Sequence, residues 1–202
     1  MQYRLLYDDI AMYVASLFRQ HTVQGLFYHN LEHTTRVVQS SDEIASHYPL
    51  SAEEQFILKA AAWFHDTGHL FGDMRVHEEN GCKLMKQYLI PLQIPCDVID
   101  KIAGCIMATR FPARPQNLLE EIICDADTYH FGTTYFKVTD ELVRKELEIR
   151  LHYQFTTWYN DALKLLQIHN FFTSYCSQSL AHGKQLNIEY VLQKIAMCNC
   201  EQ

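Results

Sequence analysis

The chain has 202 residues, 48% of them apolar and 20% charged, and carries a formal charge of −7 at neutral pH. That profile describes a globular protein of one ordinary domain, long enough to bury a sizeable core. It excludes the broadly basic surface that long nucleic acid demands, while a small anionic substrate beside a local cation stays compatible with it.

The helical period dominates from the first residues onward. An amphipathic helix is expected over about 3–19; Asp8 and Asp9 interrupt its apolar run, so it reads neither as a signal peptide nor as a membrane span. A second helix is expected over about 30–48, with Val37, Val38, Ser41, Ile44, Ala45 and Tyr48 turned inward. Ser51 and Glu54 form a capping box that opens a third helix. This one becomes apolar all round at "AAAWF", 60–64, which marks the central buried helix.

A loop with Gly68 and Gly72 leads to a helix over about 75–89, with His77, Gly81, Leu84 and Tyr88 on one face and Pro91 and Pro95 beyond its end. Val98, Ile99, Ile102, Ala103, Ile106 and Met107 mark the next helix, broken by "RFPARP" at 110–115. Leu118, Leu119, Ile122, Ile123 and Ala126 mark another. From about 136 to 199 helical patterns alternate with short polar breaks. In that stretch Trp158, Phe171, Phe172 and Tyr175 read as core aromatics, or as part of a nucleobase pocket. With seven glycines and no credible strand, the expected fold is an all-α, single-domain helical bundle over 1–202. The seven cysteines form no regular framework. Cys82, Cys105 and Cys124 read as small core residues, and Cys198 and Cys200 as a tail pair, which together suggest a reducing, cytoplasmic setting.

Against this apolar background, five groups that can ligate metal point inward. His33 shares the stripe of Val37 and Ile44. His65 and Asp66 end the most apolar helix, His77 lies on the apolar face of its own, and Asp127 follows Ile123 by one turn. Singly, each has a plainer role: a hydrogen-bonded core histidine, a paired buried acid, or a helix cap. Jointly they point to a divalent cation held by two imidazoles and two carboxylates. An N/O set of this kind suits Mn, Mg, Fe or Ni with positions left for water, and admits Zn. Such an ion offsets the desolvation of the acids and lowers the pKa of a bound water.

"YHNLEH", "FHDTGH", "HEENG" and "ICDAD", in this order, resemble the HD superfamily of metal-dependent phosphohydrolases. The resemblance covers about 25–135, with the helices of about 136–200 packed on that core. It implies His33, His65, Asp66 and Asp127 as metal ligands. The Tyr-His-Asn-x-x-His segment is similar to the one that opens the site of cyclic nucleotide phosphodiesterases. That likeness implies His29 as proton donor to the leaving oxygen and places His69 near the water of a second metal, with Asp66 shared. His29 could equally be a loop histidine resting on Tyr28. His77 matches the H-x-x-x-G of two-metal relatives, so it either binds a second ion or contacts substrate. No histidine stands between 78 and 129, where such relatives carry further ligands.

Arg110, and after it Arg114, would recognise phosphate through bidentate hydrogen bonds, and His130 would stand at the mouth of the site. Asp125, two residues from Asp127, faces elsewhere and supports rather than ligates. The resemblance therefore implies hydrolysis of a phosphate mono- or diester of a small molecule, a nucleotide or cyclic nucleotide for preference, with one or two divalent ions per chain. It involves no membrane and leaves a homodimer open. The alternatives are a diiron oxygenase and a non-catalytic metabolite-binding domain.

Overall fold

The computed structural model describes residues 2–200, apart from the side chains at 2, 4, 5, 199 and 200. Among the described residues the regular structure is helical and contains no strand. The backbone divides into two compact units. One reaches Val23 and resumes from His29 to Asp127; the other holds Gln24–Tyr28 and continues from Thr128.

The first unit is built on α3 (Ala52–Phe64), against which α1 (Gln2–Gln20), α2 (Leu31–Ala45), α4 (His77–Leu89), α5 (Cys96–Ala108) and α6 (Leu118–Asp127) pack. The reason is compositional: a helix apolar on every face has no side to offer to water. Phe56, Ile57, Leu58, Ala60, Ala61, Ala62, Trp63 and Phe64 are all buried. Cutting back a side chain as enclosed as Ile57 or Phe64 costs about 2–5 kcal/mol. The expected capping box is present. Ser51 Oγ accepts from Glu54 N–H at 3.2 Å, and Glu54 Oε2 accepts from Ser51 N–H at 2.8 Å.

Helix α2 opens on Asn30, whose side chain accepts from the N–H groups of Glu32 and His33, and it closes at Ala45. That is shorter than the expected reach to 48. Ser46–Tyr48 turn instead, and Tyr48 is only half-buried. In α4 the phase differs from expectation. A 3-10 turn over Met74–Val76 precedes it, and its buried residues are Glu78, Gly81, Met85 and Leu89, with Leu84 and Tyr88 half-buried.

Two glycines set how closely α4 approaches the 3-10 turn Thr67–Leu70. A Cβ on Gly68 would lie 1.8 Å from the His77 carbonyl oxygen, and one on Gly81 would lie 2.8 Å from that of Phe64. No other residue fits at these crossings, and the close approach brings His77 beside His69.

The second unit holds the 3-10 turn Tyr129–Gly132, α7 (Phe136–Arg150), α8 (Trp158–Ile168), α9 (Ser174–Ser179) and α10 (Ala181–Cys200). Its core is Phe131, Phe136, Ala162, Leu166 and Val191, with Phe171 packed against it half-buried. The aromatics expected to be core here are less enclosed than that. Trp158 and Tyr175 are half-buried, and Phe172 is 37% exposed. The buried Glu146 ties the short segment before the first motif to α7: it accepts from Tyr28 N–H at 2.7 Å and from Arg150 Nη1 at 3.1 Å. Cys105 and Cys124 are buried, Cys82 is half-buried and Cys198 is exposed. The side chain of Cys200 lies outside the described residues.

Candidate metal centre

His33 and Asp127 enter the first unit from the start of α2 and the end of α6, and His65 and Asp66 follow the last turn of α3. The helical period places all of them at one end of the central helix. His33, His65 and Asp66 are 6%, 0% and 3% exposed, so the side chains meet with almost no water between them.

Their separations are those of ligands around a shared point. His33 Nε2 lies 3.1 Å from Asp127 Oδ1 and 3.2 Å from Asp66 Oδ2. His65 Nε2 lies 3.4 Å from His33 Nε2, 3.3 Å from Asp66 Oδ2 and 3.6 Å from Asp127 Oδ1. Ligands bonded at about 2.1 Å to one ion are spaced about 3.0 Å apart along an octahedral edge and about 3.4 Å along a tetrahedral one.

The protonation pattern agrees. His65 Nδ1 donates to the Ala62 carbonyl at 2.8 Å, which leaves Nε2 as the nitrogen turned to the cluster. Asp66 Oδ2 is buried and has no hydrogen-bond donor of proper geometry. Two imidazole nitrogens and two carboxylate oxygens, one of which is the orphaned Asp66 Oδ2, fit a divalent cation.

Without the ion the same groups compensate one another. Burial alone would push the His33 and His65 pKa values down. The nearby carboxylates of Asp66 and Asp127 outweigh burial and hold both up, His65 strongly. Burial pushes the other way on the acids too, and the histidines overcome it, keeping Asp66 and Asp127 well below the ordinary carboxylate range.

Asp66 has a second face. Its Oδ1 lies 3.8 Å from His69 Nε2 and 3.7 Å from His77 Nε2. The rings of His29, His69 and His77 stack in a row, with centroids 4.2 Å and 3.9 Å apart. His29, Asp66 and His69 offer ligand atoms within 4.8 Å of one another, as do His33, His65 and Asp127. His29 therefore rests on His69, and it is half-buried at the edge of the cluster. His77 Nδ1 donates to the Met74 carbonyl at 2.7 Å, so its Nε2 also turns toward carboxylates, including Glu78 Oε1 at 3.5 Å.

Arg110 is already engaged. Its Nη2 pairs with Glu78 Oε2 at 3.1 Å and with Glu79 Oε2, and these acids raise its pKa further. The buried Glu78 thus joins the guanidinium to His77, a connection that sequence reasoning missed. Arg114 is exposed, and Asp125 is completely buried. His130 belongs to the second unit, where its Nδ1 lies 3.2 Å from the Tyr28 hydroxyl.

No helix among the described residues is long and apolar enough to cross a membrane. A crystal structure of a Lactobacillus plantarum protein, a structural-genomics target, is similar in fold. The TM-score is 0.67 at 17% identity, over 95% of this chain and 98% of that one. Comparison with curated proteins finds no match. Residues 30–132 match the HD domain. This is the stretch that carries the two imidazoles, the two carboxylates and, of the stacked histidines, His69 and His77, and the chain belongs to the HD domain family.

Proposed function

We propose that the chain hydrolyses a phosphate mono- or diester of a small molecule, a nucleotide or cyclic nucleotide for preference. The observation that carries this reading is the convergence of His33, His65, Asp66 and Asp127 within 3.1–3.6 Å along the five separations given above. Those four residues would hold the divalent ion, which when bound supplies an activated water and charge stabilisation at phosphorus.

The remaining residues do the positioning and the proton work. His29, half-buried at the cluster edge and braced by His69, is placed to give a proton to the departing oxygen, a contribution of about 10²–10⁴ in rate. Asp66 presents one oxygen to each group of histidines and fixes both relative to each other. Arg110 recognises phosphate by exchanging a glutamate carboxylate for a phosphate oxygen, both being bidentate acceptors for a guanidinium. His77 completes the substrate contacts in this reading.

A second reading, with two ions per chain, is favoured by the Asp66 Oδ1 face, where His69 and His77 stand at 3.8 and 3.7 Å. Metal content per chain after reconstitution decides between one and two.

The test is a panel of phosphate mono- and diesters with Mn²⁺, Mg²⁺, Ni²⁺ and Fe²⁺, followed by phosphate release and product mass. Turnover of a small ester supports hydrolysis. Iron retained from expression, with an absorption band and oxidised organic products, would replace it with oxygenase chemistry. Metal binding without turnover of any ester would leave a metabolite-binding domain.

A further inference from the structure

Lys184, on α10 in the second unit, is unusual in an acidic chain. Its ammonium donates to the His169 carbonyl, the cap of α8. Burial lowers its pKa, and no carboxylate offsets that effect. Several other lysines do pair with acids: Lys59 with Asp42, Lys86 with Asp100, and Lys101 with Glu53 and Asp97.

The surroundings of Lys184 are neutral. His169 is buried, its Nε2 3.0 Å from Thr128 Oγ1 and its Nδ1 without a partner. Burial first, and then the lysine's charge, bring the His169 pKa down to about 4, so it adds no charge of its own near neutrality. Capping α8 explains one of the ammonium's three hydrogens. It does not explain why a half-buried cation faces an open space.

That space is a hollow of about 320 Å³, at the lower end of the range for small-molecule pockets. Besides Lys184, its polar lining is Asn170, Ser177 and Gln185, and its apolar lining includes Phe171 and Ile188. The polar groups are hydroxyl and amide, all able to donate. No acid is among the lining residues; Gln185 Nε2 donates to Glu189 Oε1 at 3.3 Å.

We propose that this hollow binds a small organic anion, its carboxylate or phosphate held by Lys184 with help from Ser177 and Asn170, and its apolar part against Phe171 and Ile188. Such a site is separate from the histidine and aspartate cluster, and it supplies the counter-charge that Lys184 otherwise lacks.

Amide NMR shifts of the full chain, titrated with benzoate, phenyl phosphate and inorganic phosphate to about 10 mM, test it. The expected result is saturable shifts confined to residues 170–188 for at least one probe. Lys184→Gln should weaken that binding at least about tenfold, the loss of about 1.4 kcal/mol for a charge-assisted contact. Benzoate alone would identify a carboxylate ligand, and the phosphate probes a phosphate ligand. Ser177 is exposed, so Ser177→Asp should fold normally and repel every anion from the hollow. Absence of shifts there with all three probes, or unchanged binding in both variants, would overturn the proposal.

Discussion

If the cluster binds a cation through His33 and His65, uptake must expel protons, and the structure limits the number. Asp66 and Asp127 are held well below the usual carboxylate range, so they are already ionised near neutrality and release nothing. His33 and His65 are held above the ordinary imidazole value by those same acids, so in chelator-treated protein the cluster holds protons that the ion must displace. Each Nε2 must lose its proton to ligate. Binding near pH 6 should therefore release protons, at most one from each imidazole, and apparent affinity should rise with pH there, by at most about a hundredfold per pH unit, flattening once pH passes the raised histidine pKa values. The sign follows from competition, because protons and metal contend for the same nitrogens. Calorimetric titration of Mn²⁺ in two buffers of different ionisation enthalpy measures the number directly. Proton release near zero at pH 6, with the ion bound, would refute the assignment of these two imidazoles as ligands.

Other outcomes follow from the same geometry. Asp66→Ala should abolish metal binding and turnover, whereas His29→Ala should retain the metal and lose about 10²–10⁴ in rate; metal content and initial rates on one preparation separate the two. Gly68→Ala would set a methyl 1.8 Å from the His77 carbonyl oxygen. It should lower stability by about 3 kcal/mol or more, read from the urea midpoint, and weaken metal binding with it. Asp140 is buried under Trp158, which donates to it at 3.0 Å, and burial raises its pKa to about 6. An acid with a raised folded pKa costs stability as pH climbs from about 4 to about 6 and stays costly above, by up to about 3 kcal/mol. Asp140→Asn should therefore be the more stable protein at pH 7.5 and gain nothing at pH 4, as followed by thermal melts across that window.

The convergence of His33, His65, Asp66 and Asp127 was readable because helical periodicity is a strong local signal. A polar residue that keeps an apolar phase, as His33 does with Val37 and Ile44, must be buried, and a buried acid must meet a positive charge. The capping box at Ser51 and the all-apolar turn at 60–64 located the central helix for the same reason. Helix ends were less readable. Nothing in "SSDEIASHYP" separates a helix closing at Ala45 from one reaching Tyr48, since both leave the last turn exposed.

The misreading of α4 is more instructive. A phase through His77, Gly81, Leu84 and Tyr88 leaves Glu78 in solvent, whereas the structure rotates the buried stripe by about one residue, to Glu78, Gly81, Met85 and Leu89. One helical residue is about 100°, enough to turn a charged side chain from water to interior. The rotation comes from constraints that are not local. Gly81 must meet the Phe64 carbonyl, and Gly68 must meet that of His77, so sterics between distant segments fix the helix before its hydrophobic face is consulted. Once Glu78 is inside, it needs a cation. Arg110, 32 residues away, supplies one, and so the residue read as a phosphate ligand stands paired with glutamate here. Two glycines therefore determine both where His77 stands beside Asp66 and which acid holds the arginine, a chain of cause that only the tertiary contacts reveal.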